Sequence, residues 1–369
     1  MLHLLNQRPH IRGTAMAASA KRPVNLALQG GGAHGAFTWG VLDRLLEESD
    51  LEFTAISGTS AGAMNAVVMA EGLLEGGNER ARAQLEEFWL GMADAADRMQ
   101  PFRNWPGYSL LEPFLYEASM AATRMFSPYD FSASDTNPLR ETLKSLIDFE
   151  KVRKNRTIKL FINTTHVATG GLRCWREHEL TVEMVLASAC LPSLFHTPMI
   201  DGEGYWDGGY IANPAIEPMT RATPTNDVII VQLNPIVRTE LPKKAAEIID
   251  RLSEISFNAS LVTELRFIAE RNRLINAGEL SGEKHRKTHL HMIHGDQALG
   301  ELPPSSKLLA ERKFLLSLRD KGREAASEWL AKHGEKVGDR SSFNYNRLVS
   351  QLTQESDENP DPRLLQRDD

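Results

Sequence analysis

Ser60 is the residue of this chain whose neighbours suit a nucleophile. It stands at the centre of Gly58-Thr59-Ser60-Ala61-Gly62, a G-x-S-x-G pattern. Before it lies a β-like run, Phe53 to Ile56, and after it a helix-like run of small and apolar residues, Ala61 to Leu74. That is the sequence form of a nucleophile elbow, a sharp strand-to-helix turn that lifts a hydroxyl to where a base and a substrate reach it. Side chains at Gly58 and Gly62 would collide with neighbouring backbone in so tight a bend. The pattern also recurs by chance in long chains, so its meaning depends on what else the fold brings to it.

One partner lies upstream. Val24 to Leu28 reads as a strand, and Gln29-Gly30-Gly31-Gly32-Ala33-His34-Gly35 leads into a helix of about Ala33 to Glu47 with Phe37, Val41 and Leu45 along one side. Glycines at a helix N-terminus leave backbone N–H groups bare, with the helix dipole behind them. Gly30, Gly32 and Gly35 satisfy G-x-G-x-x-G, the dinucleotide pattern. Its ribose-binding acid belongs at the end of the second strand, however, where Gly58-Thr59-Ser60 stands, while Glu52 is at the start. The other fitting ligand is an oxyanion, received by Gly31 and Gly32 beside a serine on the adjacent strand. The nearness of the two loops favours this second ligand.

The other partner lies downstream, in Tyr205-Trp206-Asp207-Gly208-Gly209. An aspartate before two glycines is ordinary turn chemistry, but the glycines also let its carboxylate approach another loop closely. His166, near a hairpin, has no evident partner for base catalysis. In a Ser-Asp-His triad the histidine would follow the acid, which makes His285, His289, His291 and His294 the candidates.

The remaining chain supplies the scaffold. A helix is expected over Asn78 to Asp97 and another over Pro138 to Ile147. Thr157 to Thr164 and Leu172 to Trp175 read as a hairpin, Leu180 to Ala189 as a short helix, and Val228 to Leu233 as a buried strand. Lys243 to Asn276 is a long helical pattern in which Ile248, Leu252 and Ile255 continue to Leu265 and Ile268 as one apolar stripe. His289 to Ile293 reads as a further strand and Lys307 to Lys332 as a helix. The proline- and aromatic-rich stretch 98–137 is lid-like, and the basic Lys284-His285-Arg286-Lys287 is a solvated loop that an anionic headgroup could also use.

The bulk composition narrows the function. The net charge of -7 argues against a nucleic-acid surface. Two cysteines, Cys174 and Cys190, make neither a disulfide framework nor a metal site, and read as reduced core thiols. No run of about 18 uncharged apolar residues is present to span a bilayer. The location these features suit is the cytoplasm, with transient contact at a membrane surface. Residues 1–22 are expected to be a disordered leader, 23–235 the catalytic domain, 236–340 a mainly helical extension packed on it, and 341–369 a partly disordered tail.

Four blocks taken together resemble the patatin-like phospholipases of bacteria: Gly30 to Gly35; Gly58 to Gly62; Ala187-Ser188-Ala189-Cys190-Leu191-Pro192 with Phe195; and Asp207-Gly208-Gly209 with Asn213-Pro214. The resemblance runs from about Val24 to Leu233. It implies a three-layer α/β/α sandwich with a largely parallel central sheet, and cleavage of acyl esters in phospholipids, lysophospholipids or other acyl lipids with neither metal nor cofactor. It implies a Ser-Asp dyad, with Ser60 as nucleophile and Asp207 as base. Gly30, Gly31 and Gly32 would form the oxyanion hole, and Gly35, Gly58, Gly62, Gly208 and Gly209 would support the motifs. One position departs: His34 stands where the family commonly has arginine. Acyl transfer to an alcohol other than water would share the same first step.

Overall fold

A computed structural model describes residues 21–99, 127–130, 138–238, 241–281, 285–302 and 304–348. Most of the leader, of the lid-like segment 98–137 and of the tail lies outside them. Eight strands form one sheet: β1 (Arg22–Leu28), β2 (Leu51–Thr59), β3 (Lys159–His166), β4 (Leu172–Arg176), β5 (Met199–Ile200), β6 (Glu203–Asp207), β7 (Asp227–Gln232) and β8 (His289–His294). Their order is β5-β6-β3-β2-β1-β7-β8, with β4 also paired to β3. The five strands from β3 to β8 in that order run parallel, while β4 and β6 run antiparallel to β3, and β5 to β6.

The strand sequences explain why both faces are covered. In β7 every residue is buried. Because side chains alternate, Ile229 and Val231 join one core cluster while Val228 and Ile230 join the other. The helices are α1 (Gly35–Leu45), α2 (Ala61–Met99), α3 (Pro138–Leu146), α4 (Phe149–Lys154), α5 (Val182–Ala187), α6 (Glu217–Ala222), α7 (Ala245–Asn276), α8 (Asp296–Leu299) and α9 (Arg312–His333). Phe37 and Trp39 of α1, Leu85 and Phe88 of α2 and Leu315 and Leu318 of α9 fill the first cluster. Met219 of α6 and Leu261, Leu265 and Ile268 of α7 fill the second. The expected mostly parallel α/β sandwich is the observed fold.

Several boundaries move for local reasons. Residues Gly32–His34 form a 3-10 turn, so α1 begins only at Gly35. The helix expected from Lys307 begins at Arg312, because Pro304–Leu308 is a separate 3-10 turn lying against the first one. Residues beyond 235 are part of the sandwich itself: β8 pairs with β7 from Asp227↔His289 to Gln232↔His294. The single apolar stripe read along α7 is corrected. Leu265 and Ile268 are buried, but Ile248, Leu252 and Ile255 face solvent. The six-residue step from Ile255 to Leu261 turns a helix through about 240°, so the two sets occupy different faces.

Candidate active site

The sheet register brings serine and aspartate together. One edge of β3 is taken by β4 from Phe161 to Thr165. Along the other edge β2 runs up to the pair Thr59↔Asn163, and β6 takes over at the next position with Thr164↔Asp207. The chain of β2 leaves the sheet at Ser60, and β6 delivers Asp207 beside the point of departure. The Ser60 side chain stands close enough to the Asp207 carboxylate to favour its ionised form.

The bend is held from several sides. Ser60 has φ 54, in the left-handed region that a side chain rarely adopts, and its carbonyl already accepts from Ala63 N at 2.9 Å. Its own N–H donates to Ser188 Oγ at 3.0 Å, and Ser188 Oγ donates in turn to Asn163 O at 2.7 Å. Asp207 is 2% exposed. Its N–H donates to Cys190 O at 2.8 Å, its carbonyl accepts from Thr165 Oγ1 at 2.8 Å, and its Oδ1 accepts from Gly209 N at 2.7 Å. Burial pushes its carboxyl up to about 7, although the hydrogen bond from Gly209 and the Ser60 side chain favour the ionised form.

The glycine loop rests directly on this bend. A Cβ on Gly30 would stand 2.7 Å from Ser60 Cβ and 2.9 Å from Thr59 O, so only glycine permits the approach. Gly30 N donates to Asn213 Oδ1 at 2.7 Å, and Asn234 Nδ2 donates to Gly30 O at 2.8 Å. The Gly30 N–H is therefore engaged within the protein. Gly31 and Gly32 instead stand at the start of the 3-10 turn, where N–H groups have no partner inside the helix. Gly32 has φ +58, and the Lys307 carbonyl oxygen occupies the space a side chain would need. The supporting glycines lie in order around these: Gly35 opens α1, Gly58 is in β2, Gly62 in the first turn of α2, and Gly208 and Gly209 in the turn after Asp207.

His34 closes the 3-10 turn, with Nε2 2.7 Å from Ser306 Oγ. Burial, reinforced by the Lys307 ammonium, pushes its imidazole down to about 3. It is neutral at ordinary pH and holds the segment around Ser306 against the loop.

The alternative constellations do not assemble. His289 and His291 both meet Asp227, at 3.3 Å and 2.9 Å, at the N-terminal end of β7. Ser60 follows the C-terminal end of the parallel β2, at the opposite end of the strands. His294 bonds Gln232 Oε1 at 2.6 Å, and His166 bonds Glu203 at 3.0 Å. Among the described residues no histidine hydrogen-bonds to Ser60 or Asp207. Arg286, in the basic loop, donates to Thr220 O and Thr223 O. Cys174 and Cys190 are free thiols, each pushed up to about 12 by burial. Among the described residues no group of three or more His, Cys, Asp or Glu is arranged to hold a metal, and no helix is long and apolar enough to cross a membrane.

The patatin-like phospholipase family matches residues 26–220, more than half of the chain. The chain belongs to that family. The match takes in both loops, Ser60, Ser188 and Asp207, and membership carries hydrolysis of lipid acyl esters as the general activity. No curated protein matches the chain. Among solved structures, VipD from Legionella pneumophila is similar at 14% identity and a TM-score of 0.39, over 90% of this chain and 74% of that one.

Three residues of the site had no role assigned from sequence. Ser188 and Asn213 fall inside blocks that mark the family, yet neither pattern says that they grip Ser60 N and Gly30 N. Asn163, whose Nδ2 donates to Gly58 O at 3.1 Å and whose carbonyl receives Ser188, carries no local signal.

Proposed function

We propose that this chain is a serine acyl hydrolase that cleaves the carboxylic esters of phospholipids or lysophospholipids through a Ser-Asp dyad and an acyl-enzyme. The reading rests on one observation: the Ser60 side chain beside the buried Asp207 carboxylate at the end of β2. Asp207 takes the proton as Ser60 Oγ attacks the acyl carbonyl, then returns it to the departing alcohol. Water enters with Asp207 again as base and releases the fatty acid. A carboxyl near 7 suits both directions, since its two protonation states are close in free energy at neutral pH.

A carboxylate is a weak base for an alcohol, so charge on the carbonyl oxygen needs donors. Gly31 N and Gly32 N fill that role, with Gly30 N holding the loop through Asn213. One donor of this kind contributes on the order of 100- to 1,000-fold. The test pairs a short-chain aryl ester with fluorophosphonate labelling of Ser60 and mass analysis of products from a mixed lipid extract. Wild type should cleave the ester, label, and release free fatty acid; Ser60→Ala should do none of these. Full ester hydrolysis by Ser60→Ala or by a folded Asp207→Asn would sink the dyad.

A further inference from the structure

Asn258 stands in the buried stripe of α7 at a place where spacing alone calls for an apolar residue. Leu261, Leu265 and Ile268 follow it at i+3, i+7 and i+10 and are buried, and Asn258 itself is 3% exposed. A buried amide costs free energy unless its polar atoms are bonded, so its partners explain its presence.

Those partners lead to the glycine loop. Asn258 Oδ1 accepts from Gln29 Nε2 at 3.0 Å, and Asn258 Nδ2 donates to Pro235 O at 2.9 Å and to Asn234 O at 3.3 Å. Gln29, the residue before Gly30, has its Oε1 taken by Leu233 N at 2.8 Å and Asn234 N at 3.0 Å. Its Nε2 therefore turns to Asn258 and to the Asn213 carbonyl. Asn213 and Asn234 are the residues that grip the N–H and the carbonyl of Gly30. All four amide side chains are buried, and among the described residues only Asn213 Nδ2 of their polar side-chain atoms finds no partner. Such a network admits one arrangement, because turning over any one amide sets donor against donor.

The same helix holds the segment that follows Asp207. Ser260 Oγ accepts from Asn213 N at 3.1 Å, Glu264 Oε2 accepts from Ile216 N at 2.9 Å and Glu217 N at 2.8 Å, and the Phe257 ring covers Gly209. These residues of α7 lie beyond residue 220, where the family match ends.

We propose that Asn258 is a positioning residue for acyl transfer: through Gln29, Asn213 and Asn234 it fixes the Gly30 peptide, and with it the aim of the Gly31 and Gly32 N–H groups at the oxyanion. It touches no substrate. The proposal rests on the Ser60 reading for its chemistry, while hydrogen exchange tests it without turnover.

The experiment compares Asn258→Leu with Leu261→Ala, which opens a cavity one turn along the same stripe, outside the amide network. Asn258→Leu should lower kcat on a soluble aryl ester about 100-fold and leave KM within about threefold, because a misplacement of about 1 Å is enough for such a loss. Leu261→Ala should lower the urea midpoint at least as far and leave kcat within about twofold of wild type. In Asn258→Leu the peptide carrying the bonded amides of Gly30 and His34 should exchange about tenfold faster than in wild type, with the β3 peptide unchanged. If circular dichroism shows Asn258→Leu unfolded, Asn258→Ala carries the same expectations. A folded variant with wild-type kcat, or with wild-type exchange in the loop, overturns the proposal. So does a Leu261→Ala that loses kcat to the same extent, since stability would then be the whole effect. A wild type that hydrolyses no ester defeats the Ser60 reading, and loop exchange then decides this proposal by itself, unchanged exchange in Asn258→Leu overturning it.

Discussion

Asp207 lies one register step beyond Thr59 on the same edge of β3, which is why its carboxylate stands beside the side chain of Ser60. A strand that leaves the sheet and an antiparallel strand that replaces it define the position of both groups. Neither depends on a flexible loop for its backbone, so the two side chains are placed by the same hydrogen bonds that build the sheet.

Activity should follow the ionisation of Asp207. With its carboxyl pushed up to about 7, the base form is scarce in acid, and kcat/KM on a soluble aryl ester should rise with pH and level off above about 7. Two pH units below that point the rate should be down about 100-fold. A profile flat from pH 5 to 8 would contradict Asp207 as the base.

The same burial costs stability. The folded carboxyl titrates above its unfolded value of 3.8, so its contribution is intact below that value and is lost as pH rises towards about 7. Asp207→Asn should therefore raise the urea midpoint relative to wild type near pH 8 and leave it unchanged near pH 3, while abolishing hydrolysis. Equal midpoints at both values would show that the carboxylate is not strained by its surroundings.

Ser188→Ala should act on Ser60 without touching substrate. It leaves Ser60 N without its buried acceptor and takes the Ser188 hydroxyl from Asn163 O, a loss of about 1 to 3 kcal/mol. Because Ser60 sits at φ 54, the bend should relax, and kcat should fall more than KM rises. Urea unfolding and steady-state kinetics on the aryl ester measure the two effects. A stability loss with unchanged kcat would reduce Ser188 to a packing role.

Local patterns made much of this legible from sequence. Strand runs such as Val228 to Val231 and the glycines around Ser60 report their own backbone, and the spacing of the four blocks fixed which residues to bring together. Contacts across the chain were not legible: nothing near Lys307 says that its carbonyl will crowd Gly32, and nothing near Ser306 says that it will bond His34. The stripe on α7 misled for a different reason. The run from Ile248 to Ile268 changes phase after Ile255, so its residues lie on two faces of the helix, which counting turns at 100° per residue separates.

His34→Arg gives the sharpest test of the contact between the glycine loop and the segment at Ser306. The imidazole is neutral because burial and the Lys307 ammonium push it down to about 3, so its contribution to stability is intact above about 6.5 and is lost as pH falls below that value. A guanidinium cannot shed its proton in the same place. His34→Arg should cost on the order of 3 kcal/mol or more at pH 7.5, with two cations now buried together. Adding Lys307→Met should recover part of that loss, even though Lys307→Met alone frees Asn234 Oδ1 from Lys307 Nζ, which lies 2.8 Å away. A double-mutant cycle by urea unfolding reads the coupling, and additive losses would mean that the two side chains do not interact. Since Asn234 also holds the Gly30 carbonyl, Lys307→Met alone should loosen the loop and lower kcat, an effect that a purely peripheral lysine would not produce.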